Sequence, residues 1–220
     1  MQVIQEISEI QDINNWFIVD MGYSNNTKSC GVMIVRDGQY TDNDLEDISF
    51  AKLEKKFQGF YDEYKNRKIG LILEAPLSIA FDKNKEGHYG NPLGRKDLEK
   101  EGGITRYWYY GAGATVTLGA LEFINRIKKT LVCNDIYLFE GFVSFKGNKN
   151  EEKKKDKHYK DAKLLYCAIK DKNLCEKKIN LENDEQYMFI GDYLNLKING
   201  IPPIVKISKE NKKEIFMIKS

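Results

Sequence analysis

The sequence predicts a mixed α/β fold. Its sheet opens with three antiparallel strands, continues with parallel ones and carries helices on its faces, and a small β-rich appendage follows at the C-terminus. Three observations predict this. Short apolar runs of strand length, Trp16-Phe17-Ile18-Val19, Ile69-Gly70-Leu71-Ile72-Leu73 and Ile136-Tyr137-Leu138-Phe139, alternate with longer amphipathic stretches. Asp37-Gly38 sits where two early runs need a tight turn. Each of the three apolar runs ends in a carboxylate: Asp20, Glu74 and Glu140.

Residues 1–13 read as a short leader packed on an edge, and residues 15–20 as the first strand. A turn-prone stretch from Gly22 to Asn26 leads to a second strand at 31–36. Asp37-Gly38 then returns the chain to a short third strand near 39–41. A helix is expected over about 45–66, because Ile48, Leu53, Phe57, Phe60, Tyr61 and Tyr64 recur at the three-to-four spacing of a core-facing stripe. The strand at 69–74 stops at Ala75-Pro76, since proline lacks a backbone donor and restricts the residue before it.

Residues 78–103 are polar and glycine-rich and read as one long irregular loop, of a length that is usually either functional or disordered. Residues 104–130 read as a helix in which Gly111, Gly113 and Gly119 permit close approach to the sheet. Gly111-Ala112-Gly113-Ala114 does not follow a strand, so it lacks the context of a dinucleotide loop. A strand at 135–145, a lysine-rich loop and a helix at 158–170 follow. In the tail, 187–190, 193–198, 204–207 and 214–218 read as short strands.

Composition narrows the function classes. With 41% hydrophobic and 31% charged residues in 220, the chain can bury one sizeable core, and no apolar run approaches the roughly 20 residues of a membrane span. The first residues carry Glu6 and Glu9 and lack a signal peptide's basic-then-apolar layout, so a cytoplasmic protein with no membrane partner is expected. Cys30, Cys133, Cys167 and Cys175 show no zinc-type spacing; Cys133 and Cys167 read as small buried hydrophobes. The net charge of +2 does not announce a nucleic-acid binder, yet eight lysines lie between Lys146 and Lys163. That run is either a solvated loop or a phosphate-contacting one.

A carboxylate at the carboxyl end of a buried-type strand is costly unless it is paired, metal-bound or solvated at a cleft. Such ends are where open α/β sheets bind ligands. A fourth acid, Asp161, opens the amphipathic helix in His158-Tyr159-Lys160-Asp161-Ala162. Simpler roles stay open for all of these acids but Glu74, which has no evident structural task before Ala75-Pro76. Asp20 can cap the following turn, Glu140 can pair with a lysine such as Lys146, the helix dipole favours Asp161, and His158 can be a plain helix-start residue.

Taken in order, the elements have the topology of the ribonuclease H-like fold. Asp20, Glu74 and His158-x-x-Asp161-Ala162 resemble the RuvC-type Holliday-junction resolvases. Glu74-Ala75-Pro76-Leu77 and Glu140-Gly141-Phe142 are similar to motifs of a less characterised RuvC-like family that carries an extra acid on the later strand. The resemblance covers roughly residues 15–172, which gives a ribonuclease H-like domain over 1–172 and the appendage over 173–220. The lysine-rich insertion, the glycine-rich middle helix and the appendage depart from the pattern, so substrate class does not carry over.

The resemblance implies a metal-dependent nuclease that hydrolyses phosphodiesters in DNA or RNA with two Mg²⁺ or Mn²⁺ ions. Asp20, Glu74, His158 and Asp161 would form the catalytic set, and Asp20, Glu74, Glu140 and Asp161 the metal ligands. Arg95, Arg106, Lys146 and Lys160 are the candidates for phosphate contact, and one ring of Tyr107-Trp108-Tyr109-Tyr110 for base stacking. Nucleic acid is the expected partner; a homodimer or a larger complex stays open. The competing reading is a non-catalytic ribonuclease H-like binding or scaffold module. Asp20-Met21-Gly22-Tyr23-Ser24 also partly matches the phosphate loop of actin-like ATPases and sugar kinases, but those proteins duplicate the domain and 220 residues do not hold two copies.

Overall fold

Trp16-Phe17-Ile18-Val19 offers no polar side chain to either face, so its strand belongs in the middle of a covered sheet. The computed structural model puts it there. It describes residues 1–23, 27–83, 89–93, 95, 98, 100–101, 104–105, 112–144, 158–180, 185–208 and 210–219. Strand β1 (Asn15–Asp20) pairs antiparallel with β2 (Cys30–Val35), which pairs antiparallel with β3 (Leu45–Ile48). Helix α1 (Phe50–Tyr64) crosses over to β4 (Ile69–Glu74), parallel to β1. A three-stranded side sheet is made by β5 (Ser78–Lys83), β6 (Tyr89–Leu93) and the later β11 (Glu185–Phe189), and β7 (Lys100–Glu101) pairs with β8 (Ile104–Thr105). Helix α2 (Ala112–Thr130) leads to β9 (Ile136–Val143), parallel to β4, and α3 (Tyr159–Ile169) follows.

The C-terminal segment supplies β10 (Cys175–Asn180), β12 (Ile204–Ile207) and β13 (Lys213–Lys219). Among the described residues the main sheet has eight strands in the order β10-β13-β12-β9-β4-β1-β2-β3. β12 pairs parallel with β9, so the C-terminal strands β10, β12 and β13 extend the central sheet. The outer edge of β9 is closed in two halves. Gln2 hydrogen-bonds to Ile136 and Leu138, and β12 takes Glu140 to Val143.

One face of the sheet is covered by α1 and α2. Leu53, Phe57, Phe60 and Tyr61 pack with Ala120, Phe123 and Ile124 over Phe17, Val19, Leu71 and Leu138. The other face is covered by α3, whose Ala162, Leu165, Tyr166 and Ile169 meet Trp16, Ile18, Ile72, Phe139 and Val205. Alternation along each strand thus divides one apolar run between two cores. No helix among the described residues is long and apolar enough to cross a membrane.

Several boundaries differ from the sequence reading, each for a local reason. After the tight turn at Asp37 (φ 48°) and Gly38 (φ 79°), only the single bridge Arg36–Gln39 forms. Thr41 and Asp44 then cap a short 3₁₀ turn, and the third strand begins at Leu45, taking residues assigned to the helix. The irregular stretch after residue 78 contains β5 and β6, because β11 arrives to pair with β5. Residues 190–194 form a 3₁₀ turn closed by Asn195 in the left-handed region (φ 54°), which takes the start of the strand expected over 193–198. Strand β10 was missed, since Cys175-Glu176-Lys177-Lys178 carries little apolar signal at a sheet edge. Cys133 is buried, but Cys167 lies on the exposed side of α3; none of the four cysteines forms a disulfide.

Phe57 is the hub of the first core, edge-on to Phe17 at 5.0 Å and to Phe123 at 5.7 Å between ring centroids. Phe57→Ala is expected to lower stability by about 3–5 kcal/mol through the cavity it leaves. In urea titration the midpoint should fall with an unchanged slope.

Candidate metal centre

Parallel strands release their last residues on the same side of a sheet, and the register decides which side chains become neighbours. Here Asp20 stands opposite Glu74 on β4 and opposite Gly31 on β2, and Gly31 stands opposite Asp47 on β3. Leu73 faces Glu140 on β9, so Glu74 lies beside Gly141. One row across five strands therefore reads Asp47, Gly31, Asp20, Glu74, Gly141. Its side chains point to the face that α3 covers.

The two glycines are gaps into which α3 fits. A Cβ on Gly31 would lie 2.0 Å from the His158 carbonyl carbon and 2.2 Å from the Tyr159 nitrogen. A Cβ on Gly141 would lie 2.6 Å from Leu165 Cδ1. With both absent, the first turn of α3 rests directly on the row. Asp47 fixes it there by accepting the Tyr159 backbone N–H at 2.9 Å, a carboxylate on an otherwise unsatisfied donor of a helix N-terminus.

The seating of α3 delivers two side chains. Asp161, in its first turn, joins Asp20 and Glu74, and one carboxylate oxygen from each of the three lies within 4.8 Å of the others. His158 places Nδ1 2.8 Å from Asp20 Oδ2, its side chain 43% exposed over a carboxylate that is 6% exposed. The turn after Asp20 is held by Cys30, whose Sγ donates to the Gly22 carbonyl at 3.0 Å. Burial pushes that thiol up, so it stays protonated and donates. Asp20 and Glu74 open onto a cleft of about 110 Å³ lined also by Ala75, Pro76, Gly113 and Val116.

Three carboxylates at this spacing repel one another, and the repulsion is relieved by a proton or by a cation between them. The donor set consists of hard oxygens alone, which suits Mg²⁺ or Mn²⁺ better than a thiolate-seeking metal.

Glu140 does not join the cluster. Its register partner is Leu73, so its side chain points to the opposite face, and it is fully buried there. Glu140 Oε2 accepts the backbone N–H of Leu77 at 2.9 Å and of Ser78 at 3.3 Å, and Oε1 accepts from Arg95 Nη1. Arg95, expected at a phosphate, is likewise fully buried in this ion pair. Lys160 is exposed on the first turn of α3, where it was expected. Arg106, Lys146 and the 107–110 aromatic run lie outside the described residues. Sequence reasoning missed Gly31, Gly141 and Asp47, whose roles depend on cross-strand register. Glu140 falls one residue after Phe139, which shares a face with Ile72 and Glu74, and so takes the opposite face.

No family model, no curated protein and no solved structure matches the chain.

Filling the first gap with Gly31→Ala should destabilise the protein by about 1–3 kcal/mol, the cost of overpacking. Gly59→Ala is the control: Gly59 lies inside α1 with nothing within 4 Å of the added carbon, and the change should stabilise by about 0.5–1 kcal/mol. Equal effects of the two changes in thermal or urea unfolding would contradict the seating of α3 on Gly31.

Proposed function

We propose that this chain is a Mg²⁺- or Mn²⁺-dependent nuclease of ribonuclease H-like, RuvC-like type that hydrolyses phosphodiester bonds in DNA or RNA. The observation that carries the reading is the convergence of Asp20, Glu74 and Asp161, residues 54 and 87 positions apart in sequence, onto one point at the strand ends. The element order supports it: three antiparallel strands, a helix, then strands parallel to the first, with a helix that supplies the last acid.

Asp20, Glu74 and Asp161 would hold the ions, and bound ions supply Lewis acidity to the phosphate and to the attacking water. The protein's own groups do the rest. His158 Nδ1 lies 2.8 Å from Asp20 Oδ2, and donation from Nδ1 to the carboxylate would leave the lone pair of the neutral ring on Nε2. That nitrogen can take a proton from water or steady the leaving oxygen. Lys160 supplies positive charge one residue from Asp161, suited to the flanking phosphates.

The test is incubation of the purified chain with labelled linear, branched, single-stranded and RNA–DNA hybrid substrates, with and without Mn²⁺. Cleavage should require the metal, and Asp20→Asn or Asp161→Asn should each slow it by about 10²–10³-fold, as when one electrostatic group of a reaction centre is removed. Mn²⁺ should raise the melting temperature of the wild type more than that of Asp20→Asn. Full activity in Asp161→Asn would remove that residue from the site. Binding of these substrates without any cleavage would favour the scaffold reading.

A further inference from the structure

Glu140 and Arg95 form a fully buried ion pair on the face of the sheet away from the carboxylate cluster. Buried ion pairs add little net stability, because desolvation offsets attraction, so what this pair holds in place matters more than what it adds to stability. The partners of this pair suggest one. Among the described residues, the backbone groups that donate to the Glu140 carboxylate belong to the segment directly following Glu74. Its carboxylate accepts from the N–H of Leu77 and Ser78 and from Ser78 Oγ at 3.4 Å, and Arg95 Nη1 donates to the same Oγ at 3.1 Å. From the α2 side, the Thr117 hydroxyl lies 3.0 Å from the Pro76 carbonyl and shares its one proton between it and the Gly113 carbonyl of its own helix at 2.9 Å. The Ala75 N–H closes back onto the Leu73 carbonyl at 2.9 Å, and the Leu77 carbonyl accepts from the Ile190 N–H at 2.9 Å. All four residues after Glu74 are therefore tied down, with the buried pair at the centre.

We infer that Glu140, with Arg95, is a positioning residue for the metal centre: its carboxylate clamps the Ala75–Ser78 turn and thereby holds the Glu74 carboxylate opposite Asp20 and Asp161. This inference rests on the metal-site reading of Asp20, Glu74 and Asp161. It gives Glu140 a part in the site without direct contact with an ion, and it takes Arg95 away from substrate. Residues that orient ligands in this way change metal affinity by about 10–100-fold when removed.

The test compares two variants in one background. Arg95→Met removes the buried cation. Adding Glu140→Gln keeps an oxygen acceptor for the Leu77 and Ser78 N–H groups, whereas adding Glu140→Leu removes it. Mn²⁺ affinity is read from the electron paramagnetic resonance signal of free Mn²⁺, and the melting temperature is read separately in EDTA. The Gln double variant should bind Mn²⁺ within about 3-fold of wild type, and the Leu double variant about 10–100-fold more weakly. Equal Mn²⁺ affinity in the two, whatever their melting temperatures, overturns the inference and leaves the pair a packing element. If the Leu double variant does not fold, Thr117→Val loosens the same turn without touching the buried charges. It should weaken Mn²⁺ binding about 5-fold, one hydrogen bond's worth, and unchanged affinity again overturns the inference. A wild type that binds no Mn²⁺ overturns the metal-site reading and this inference together; wild-type binding with insensitive variants overturns this inference alone.

Discussion

The structure depends on one register. Because β1 and β4 run parallel with Asp20 opposite Glu74, two carboxylates that belong to different strands leave the sheet side by side. Because Gly31 and Gly141 flank them in the same row, a helix can lie against the strands closely enough to add Asp161. A one-residue slip of any of these strands would send its acid to the opposite face. The double-sided burial of β1, with Trp16 and Ile18 in one core and Phe17 and Val19 in the other, makes such a slip prohibitive. The core is thus what enforces the geometry of the polar site.

The two faces divide the charged residues by role. On the α3 face, Asp20, Glu74 and Asp161 gather at one point, and helix α3 is docked by polar contacts: Asp47 to Tyr159 and Asp20 to His158. On the α1–α2 face the charges are compensated. Glu140 meets Arg95, and the buried Lys206 donates to the Leu98 carbonyl at 2.6 Å while lying 5.8 Å from the Phe142 ring centre. Compensated buried charge specifies a path for the backbone, whereas gathered like charge invites a ligand.

Much of this was legible in the sequence. Asp20 and Glu74 stand out because each ends an apolar run, and Asp161 because it opens an amphipathic helix three residues after His158. The central elements β1, β2, β4, β9, α1 and α3 follow from periodicity, which local sequence carries. Pairing between distant segments left no such trace. β5 looked like loop because its stabilising partner, β11, lies about a hundred residues later. β10 is polar because it is an edge. Glu140 resembled the other strand-end acids, since a count from the end of an apolar run does not tell which face a residue takes; only its pairing with Leu73 does.

The closing of β9 by Gln2 on one half of its edge and by β12 on the other has a consequence for how the chain emerges from a ribosome. β9 is apolar apart from Glu140, and its partner over Glu140 to Val143 is made some sixty residues after it. Until then, that half of the strand presents bare backbone donors and acceptors, a template for pairing with another nascent chain. Synthesis therefore passes through an interval in which the half-built sheet is sticky on one side. The order of the genetic message, no less than the final packing, sets how safely this protein reaches its native state.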